Sequence, residues 1–176
     1  SVVPPGFYPF TLTAANSADP QYNSSKIANY NVYPPDATSP VTSITKPLDG
    51  AYVKGTVAIK ANATDNTSVT KVEFYVDGVL LSTDTTSGYS ASWNVNGLAN
   101  GSVHQLQTKA YDYSDNVGIS AVINVTVDKI APTVAITSPL NGANVAVGTT
   151  FTITADASDN FAMSKVVFYV NNSKIC

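Results

Sequence analysis

The chain has 176 residues, between one and two average domains and enough for a packed core. Only 12% of its residues are charged, against roughly 25% in an ordinary soluble domain, and its net charge is −3. This weak charge, without a Lys/Arg cluster, excludes nucleic acid as an expected partner, and no apolar run approaches the ~20 residues of a membrane span. Because Cys176 is the only cysteine, no intrachain disulfide can form.

The first forty residues are predicted to form two strands and a linker. In "PPGFYPFTLTAAN", Phe10, Leu12 and Ala14 occupy alternate positions, which is the pattern of a half-buried strand. The next stretch, "SSKIANYNVYPPDATSP", runs into a proline-containing linker that ends at Pro40. We therefore predict that residues 1–40 are the last two strands and the exit linker of a preceding module.

Residues 41–130 are predicted to hold about seven short strands, because period-two alternation recurs throughout this segment. The stretches are "VTSIT" (41–45), "TVAIKANAT" (56–64), "KVEFYVD" (71–77), "GYSASWNV" (88–95), "HQLQTKAYD" (104–112) and "GISAVINVTV" (118–127). The last is expected to be one strand with Ile119, Ala121, Ile123, Val125 and Val127 on its inward face. The strand count and the single Trp93 favour a two-sheet sandwich.

One hairpin is predicted from its turn residues. Asp77 and Gly78 stand between two apolar runs, and both residues tolerate the positive φ that a two-residue turn requires. Before the turn, alternation sends Val72, Phe74 and Val76 into the core.

An internal repeat fixes the boundary of the last segment. Ile44 and Pro47 reappear as Ile136 and Pro139, 92 residues later, and "KVEFYVDGV" at 71–79 reappears as "KVVFYVNNS" at 165–173, 94 residues later. A period of this size is one small domain. Residues 131–176 are therefore predicted to be the first half of a following module.

These stretches carry a family resemblance. "APTVAITSPLNGANV", "KVEFYVDGVLLSTDTT" with "YSASW", and "LANG" leading into "AYDYSDNVG" resemble the bacterial Ig-like domains that occur in tandem in secreted and cell-surface proteins. The resemblance implies an all-β fold of tandem immunoglobulin-like β-sandwiches. One complete module (41–130) is then flanked by strands F and G of a preceding one (1–40) and by strands A to C′ of a following one (131–176).

Catalytic residues are not expected. The only histidine, His104, lies in "GLANGSVHQL", where its spacing from Leu98 and Gly101 resembles the turn before strand F of an Ig-like sandwich. The sequence order shows no Ser/His/Asp set, no paired catalytic carboxylates and no phosphate loop. We predict that the chain is not an enzyme and that His104 is structural.

Carboxylates near one end of the predicted sandwich form a candidate Ca²⁺ site between modules. The loops after strands B and F meet at that end and face the linker, and Ca²⁺ takes six to eight oxygen ligands. The candidate ligands are Asp36, Asp65, Asp112 and Asp115, and the second junction can repeat the site with Asp128, Asp156 and Asp159. In the alternative interpretation, each Asp-Asn pair forms an Asx turn.

Two kinds of surface site are also predicted. Acceptor sequences for N-glycosylation begin at Asn23, Asn62, Asn66, Asn100, Asn124 and Asn171, although a chain rich in Asn, Ser and Thr produces such matches by chance. Tyr75, Tyr111 and Tyr113 are expected to point outward from neighbouring strands, as a surface for sugar rings or another module. The alternative is that tyrosine is simply favoured in strands.

The predicted function is that of a non-enzymatic extracellular or cell-surface module in a tandem array, as a stalk, adhesin or fibre subunit. We expect the chain to be a piece of a longer protein. Its partners would be neighbouring Ig-like modules, in the same chain or in identical chains that complete the partial modules by strand complementation. The alternative is an accessory, carbohydrate-binding or spacer region of a secreted hydrolase.

Overall fold

The computed structural model describes residues 6–14, 24–32, 36–161 and 163–175. All regular elements among them are strands, which confirms the predicted all-β class. The strands are β1 (Gly6–Ala14), β2 (Ser24–Val32), β3 (Val41–Lys46), β4 (Ala51–Val53), β5 (Thr56–Thr64), β6 (Val69–Val76), β7 (Val79–Asp84), β8 (Ser90–Asn94), β9 (Val103–Asp112), β10 (Val117–Ile119), β11 (Ile123–Val127), β12 (Thr133–Ser138), β13 (Thr154–Ser158), β14 (Tyr169–Val170) and β15 (Ser173–Lys174). No helix in these ranges is long and apolar enough to cross a membrane.

The N-terminal strands form an antiparallel hairpin. β1 pairs with β2 from Gly6 opposite Val32 to Ala14 opposite Ser24. The alternating side-chain orientation predicted for Phe10, Leu12 and Ala14 lies outside what the structure describes. The boundary at residue 40 remains a prediction.

Strands β3 to β11 form two sheets that face each other. One has the order β4-β11-β9-β6-β7, with β10 also paired to β9, and the other has the order β3-β5-β8. β3 and β4 therefore lie in different sheets, and β4 runs parallel to β11. This is the predicted immunoglobulin-like sandwich.

The core lies between these sheets and follows the alternation seen in the sequence. On β5, Val57, Ile59 and Ala61 are buried while the residues between them are exposed. On β6, Val72 and Phe74 have no accessible surface. Asp77 and Gly78, between β6 and β7, have φ of 51° and 78°, which confirms the predicted two-residue turn.

The prediction of one strand over 118–127 is wrong. β10 and β11 both pair with β9, but four steps from Ile119 to Ile123 oppose only three steps from Lys109 to Leu106. The extra residue between β10 and β11 acts like a β-bulge: the side chains of β10 that alternation would turn inward point outward instead, and the others point inward. Gly118 and Ser120 are therefore buried, whereas Ile119 is 59% exposed.

The repeated segment forms smaller sheets. β12 pairs with β13, and β14 pairs with β15 through a turn in which Asn171 and Asn172 have φ of 49° and 65°. Several residues of this segment are exposed, although their counterparts in the first copy belong to the core. Phe151 is 49% exposed and Val166 is 39% exposed, whereas their counterparts Val57 and Val72 are 9% and 0% exposed.

Candidate functional site

Three of the four predicted metal ligands lie together at one end of the sandwich. Asp36 stands in the linker before β3, Asp65 follows β5, and Asp112 ends β9. One carboxylate oxygen from each lies within 4.8 Å of those from the other two. At such distances the ionised carboxylates repel one another. The fold thus collects negative charge here, and a cation would stabilise it.

Hydrogen bonds hold the linker carboxylate in place. Asp36 Oδ2 accepts hydrogen bonds from the Thr67 hydroxyl (2.6 Å) and from Asn66 Nδ2 (3.1 Å), and Oδ1 accepts one from the Thr38 N–H (3.0 Å). The bond from Thr67, followed by those from Thr38 and Asn66, lowers the pKa of Asp36 from 3.8 to about 2. Asp36 therefore stays ionised near neutral pH, as a metal ligand must.

The carboxylates of Asp112 and Asp65 differ in the number of hydrogen bonds that they accept. Asp112 is 2% exposed, and its oxygens accept hydrogen bonds from the Ser114 N–H (2.8 Å) and from the Asn116 N–H and Nδ2 (2.8 and 2.7 Å). Asp65 Oδ2 accepts one from the Thr67 N–H (2.9 Å), but its Oδ1 is buried without a hydrogen-bond partner. In proteins, a buried carboxylate oxygen is normally paired with a donor, an ordered water or a cation.

The Asx-turn interpretation describes the same residues. Asp36, Asp65 and Asp112 each accept a hydrogen bond from the backbone N–H two residues later, as an Asx turn requires. At Asp65 this turn uses only one oxygen and leaves the other buried oxygen free. Turn formation and cation binding are therefore compatible.

Asp115 is not brought into the cluster. It lies at the tip of the loop after β9 with φ of 62°, and it is exposed. At the second junction, Asp159 repeats the pattern of Asp65, because its Oδ2 accepts a bond from the Phe161 N–H and its Oδ1 is buried without a partner. Asp128 and Asp156 do not complete a second group of three carboxylates in the described ranges.

The predicted tyrosine surface is organised by a glutamate. Tyr75 and Tyr111 lie on the outer face of β6 and β9, and both hydroxyls donate to Glu73 Oε2, at 2.7 and 2.8 Å. Lys71 donates to Glu73 Oε1 at 2.7 Å and stands 4.0 Å from the Tyr111 ring centroid. Tyr113 is separate from this network and 82% exposed. We call Lys71, Glu73, Tyr75 and Tyr111 the Glu73 network.

The ionisation of the Glu73 network is shifted as a group. Burial alone would raise the pKa of Glu73, but hydrogen bonds from Lys71, Tyr75 and Tyr111 outweigh it and lower the pKa from 4.5 to about 2. The hydrogen bond to Glu73 raises the pKa of Lys71 and of both tyrosines. The network is therefore charged and complete at neutral pH.

Acid is expected to remove the contribution of this network to stability. A folded-state pKa below the unfolded value gives stability that is full above pH 4.5 and is lost as the pH falls toward 2. Glu73→Gln should lower the free energy of unfolding by about 1 kcal/mol at pH 7, allowing for solvent screening, and by roughly half of that or less at pH 3. Urea unfolding at both pH values measures this difference.

The same pKa can be read directly from the wild-type protein. Glu73 is the only glutamate, so the titration of its side-chain carboxyl ¹³C shift is unambiguous. A midpoint near 4.5, or an equal loss of stability in Glu73→Gln at pH 7 and pH 3, would contradict the charged network.

The structure also contains a Ser-His-Asp arrangement that the sequence analysis missed. His104 Nδ1 lies 2.7 Å from Asp77 Oδ2, and its Nε2 lies 2.9 Å from Ser102 Oγ. The His104 ring packs edge-on against Trp93, with centroids 5.3 Å apart. The sequence does not reveal this set, because Asp77 comes from the β6–β7 turn, 27 residues away from His104. The only signal in the sequence was the two-residue spacing of Ser102 and His104 at the start of β9.

The serine hydroxyl of this arrangement and the N–H groups next to it already donate hydrogen bonds to backbone carbonyls. Ser102 Oγ donates to the Ala99 carbonyl at 2.7 Å. The neighbouring N–H groups of Gly101 and Ser102 donate to the carbonyls of Val127 and Ala99. These are the donors that an oxyanion hole beside the serine would need. The observed role of His104 is to tie the β6–β7 turn to the turn before β9.

The predicted acceptor asparagines can be placed except for Asn23, which lies outside the described residues. Asn62, Asn66, Asn100, Asn124 and Asn171 are all exposed. Two of them already make hydrogen bonds through their side chains, since Asn66 Nδ2 donates to Asp36 and Asn100 Oδ1 accepts from the Lys129 N–H (2.6 Å). Glycosylation of any of them remains a prediction.

Comparisons with known proteins give a family match and similar solved structures. A family model described as "Bacterial Ig domain" matches residues 40–106 and 132–176. The chain is similar to fibronectin(III)-like modules of Clostridium thermocellum CbhA, with 31% identity, a TM-score of 0.47, and coverage of 52% of this chain and 99% of that chain. It is also similar to an endo-beta-1,4-mannanase from Thermotoga petrophila, with 20% identity, a TM-score of 0.43, and coverage of 53% of this chain but 21% of that chain. No curated protein matched.

Proposed function

Because the chain belongs to the bacterial Ig domain family, we propose that it is a non-enzymatic structural segment of an extracellular or cell-surface protein built from tandem Ig-like modules. Such a segment serves as a stalk, an adhesin or a fibre subunit. Its modules would divide as 1–40, 41–130 and 131–176. The observation that carries this proposal is the contact of a linker residue, Asp36, with the loops after β5 and β9.

Calcium would make this junction stiff. The cation would neutralise the three clustered carboxylates and satisfy the buried Oδ1 of Asp65. Because Asp36 belongs to the linker while Asp65 and Asp112 belong to the sandwich, one ion would hold the linker against the module. Proline at Pro34, Pro35 and Pro40 already restricts the linker backbone. A stiff linker keeps a terminal binding site at a set distance and orientation.

Calcium is expected to raise the melting temperature of the wild-type protein and not that of Asp65→Asn. At about ten times the dissociation constant, binding to the folded state alone contributes about 1.4 kcal/mol, or roughly 5 to 10 °C for a domain of this size. Asparagine keeps the size of Asp65 and the turn hydrogen bond from Thr67, so the variant should fold. Calorimetry with Ca²⁺ and with EDTA measures the shift.

Asp84→Asn is the matched control. Asp84 also accepts backbone hydrogen bonds, from Thr86 and Ser90, but it is not part of the cluster. This variant should keep the full response to Ca²⁺. An unchanged melting temperature in the wild-type protein, or an equal rise in Asp65→Asn, would rule out the calcium site and leave only the Asx turns.

Residues of the last segment that match core residues of the first copy are exposed, and this indicates what kind of partner could cover them. Phe151 and Val166 need further strands to cover them as Val57 and Val72 are covered. We favour strands from the rest of a longer chain, since adding β1 and β2 of a neighbouring copy would supply no equivalent of β8 with Trp93. A monomer in sedimentation analysis would exclude completion by a neighbouring copy.

The alternative function, an accessory region of a secreted hydrolase, would use the tyrosine surface to bind polysaccharide. Tyr113 is open enough to stack on a sugar ring. Tyr75 and Tyr111 are less suited, because Lys109 and Lys71 stand over their rings, at 4.8 and 4.0 Å from the centroids. A sugar would have to displace these ammonium groups, so this function ranks second.

A further inference from the structure

Hydrogen bonds hold the first residues of the linker after β11 against the adjacent end of the sandwich. The Asp128 N–H donates to the Val53 carbonyl at 2.9 Å. Lys129 donates through its N–H to Asn100 Oδ1 (2.6 Å) and through Nζ to the carbonyls of Asn96 (2.7 Å) and Leu98. These bonds hold the start of the linker, so the next segment enters in a restricted direction.

An aromatic contact then joins the two segments. Phe161, in the loop after β13, packs on Tyr52 of β4, with ring centroids 4.9 Å apart and planes inclined by 33°. The Phe161 ring also reaches Gly101, where an added Cβ would lie 3.6 Å from its Cζ. We call Tyr52, Gly101 and Phe161 the aromatic joint.

The aromatic joint is not a copy of the first junction. The counterpart of Phe161 in the first copy is Thr67, whose hydroxyl donates to Asp36, and the counterpart of Tyr52 in the second copy is Asn144. The second junction thus replaces a hydroxyl-carboxylate contact by a ring pair. The ring pair itself needs no cation.

Tyr52 also lines an open space between the two segments. This cavity of about 270 Å³ is lined by Lys54, Asp128, Asp159 and Lys165 among others. Where this space lies, the two segments do not touch. Loss of one ring should therefore release the joint.

We propose that the end of the sandwich formed by Tyr52 and Gly101 is a docking surface for the loop after β13 of the following Ig-like segment, and that Phe161 sets the angle between the two independently of any cation. Aromatic pairs contribute about 0.5 to 1.5 kcal/mol beyond the area that they bury. A contact of this strength favours one orientation and still permits exchange with others. This proposal does not depend on the calcium site, which lies at the other end of the sandwich.

Spin-label distance measurements test the aromatic joint in the full chain. With Cys176→Ser, labels at the exposed positions Ser92→Cys on β8 and Ala135→Cys on β12 report the orientation of the two segments. The parent protein should show one dominant distance. Phe161→Ala should lower the ratio of this population to the others roughly fivefold, and Phe161→Trp should restore it.

Two comparisons keep the result specific to the ring pair. Tyr52→Ala should have the same effect as Phe161→Ala, and the double variant should show little further change, because both remove one contact. Leu140→Ala, at a position 72% exposed in the same segment, should leave the distances unchanged, as should EDTA. The proposal fails if Phe161→Ala keeps the parent distribution while circular dichroism shows a folded protein, or if EDTA abolishes the dominant distance.

Discussion

Replacing Phe74 with alanine is expected to lower the free energy of unfolding of the sandwich by about 3 to 5 kcal/mol. Phe74 has no accessible surface and is the largest fully buried side chain. Its removal leaves a cavity between the two sheets that the paired strands β6 and β9 cannot close. The unfolding transition can be followed by the fluorescence of Trp93, the only tryptophan, which is 7% exposed in the same core.

Tyr113→Ala is the control for this loss. Tyr113 is an aromatic residue of similar size that is 82% exposed, so its replacement should change the free energy of unfolding by no more than about 0.5 kcal/mol. Similar losses in Phe74→Ala and Tyr113→Ala would show that the core is not where the structure has it.

Gly118→Ala is the second substitution with a large expected effect, about 3 kcal/mol, at the upper end of the usual cost of overpacking. A Cβ at this position would lie 1.6 Å from the carbonyl oxygen of Pro40. That oxygen belongs to the backbone, so β10 or the linker before β3 would have to move. Urea unfolding and the calcium response should both change, because the linker also carries Asp36.

Gly97→Ala separates this clash from the general effect of replacing glycine. A Cβ at Gly97 would meet no atom within 4 Å, so the variant should be as stable as the wild type or slightly more stable. If Gly118→Ala is equally harmless, then β10 does not approach Pro40 as closely as the structure indicates.

Much of the fold could be predicted from the sequence because its signals are local. Alternating apolar residues gave β5 its bounds to the residue, and Asp77-Gly78 identified the β6–β7 turn. Asp36, Asp65 and Asp112 lie together in the structure, because an Ig-like topology places the loops after β5 and β9 at one end, and their role as metal ligands stays a prediction.

The errors arose where the structure depends on pairing between distant strands. Period two continues through residues 118–127, so nothing local indicates the extra residue that turns Gly118 and Ser120 inward. The contact of Asp77 with His104 depends on the register between β6 and β9, which alternation alone does not define. Asp115 was included with Asp112 by proximity in sequence, but the turn between them sends it to the surface.

The parallel pairing of β4 with β11 determines how the sandwich would respond to tension along the chain. Force applied along the chain pulls β4 from its N-terminal side and β11 from its C-terminal side. The two strands run in the same direction, so the force slides them past each other instead of peeling them apart. The pairs Ala51–Val125, Tyr52–Thr126 and Val53–Val127 are then loaded together in shear, and all must fail together before the strands that follow β4 can be pulled out from the N-terminal side.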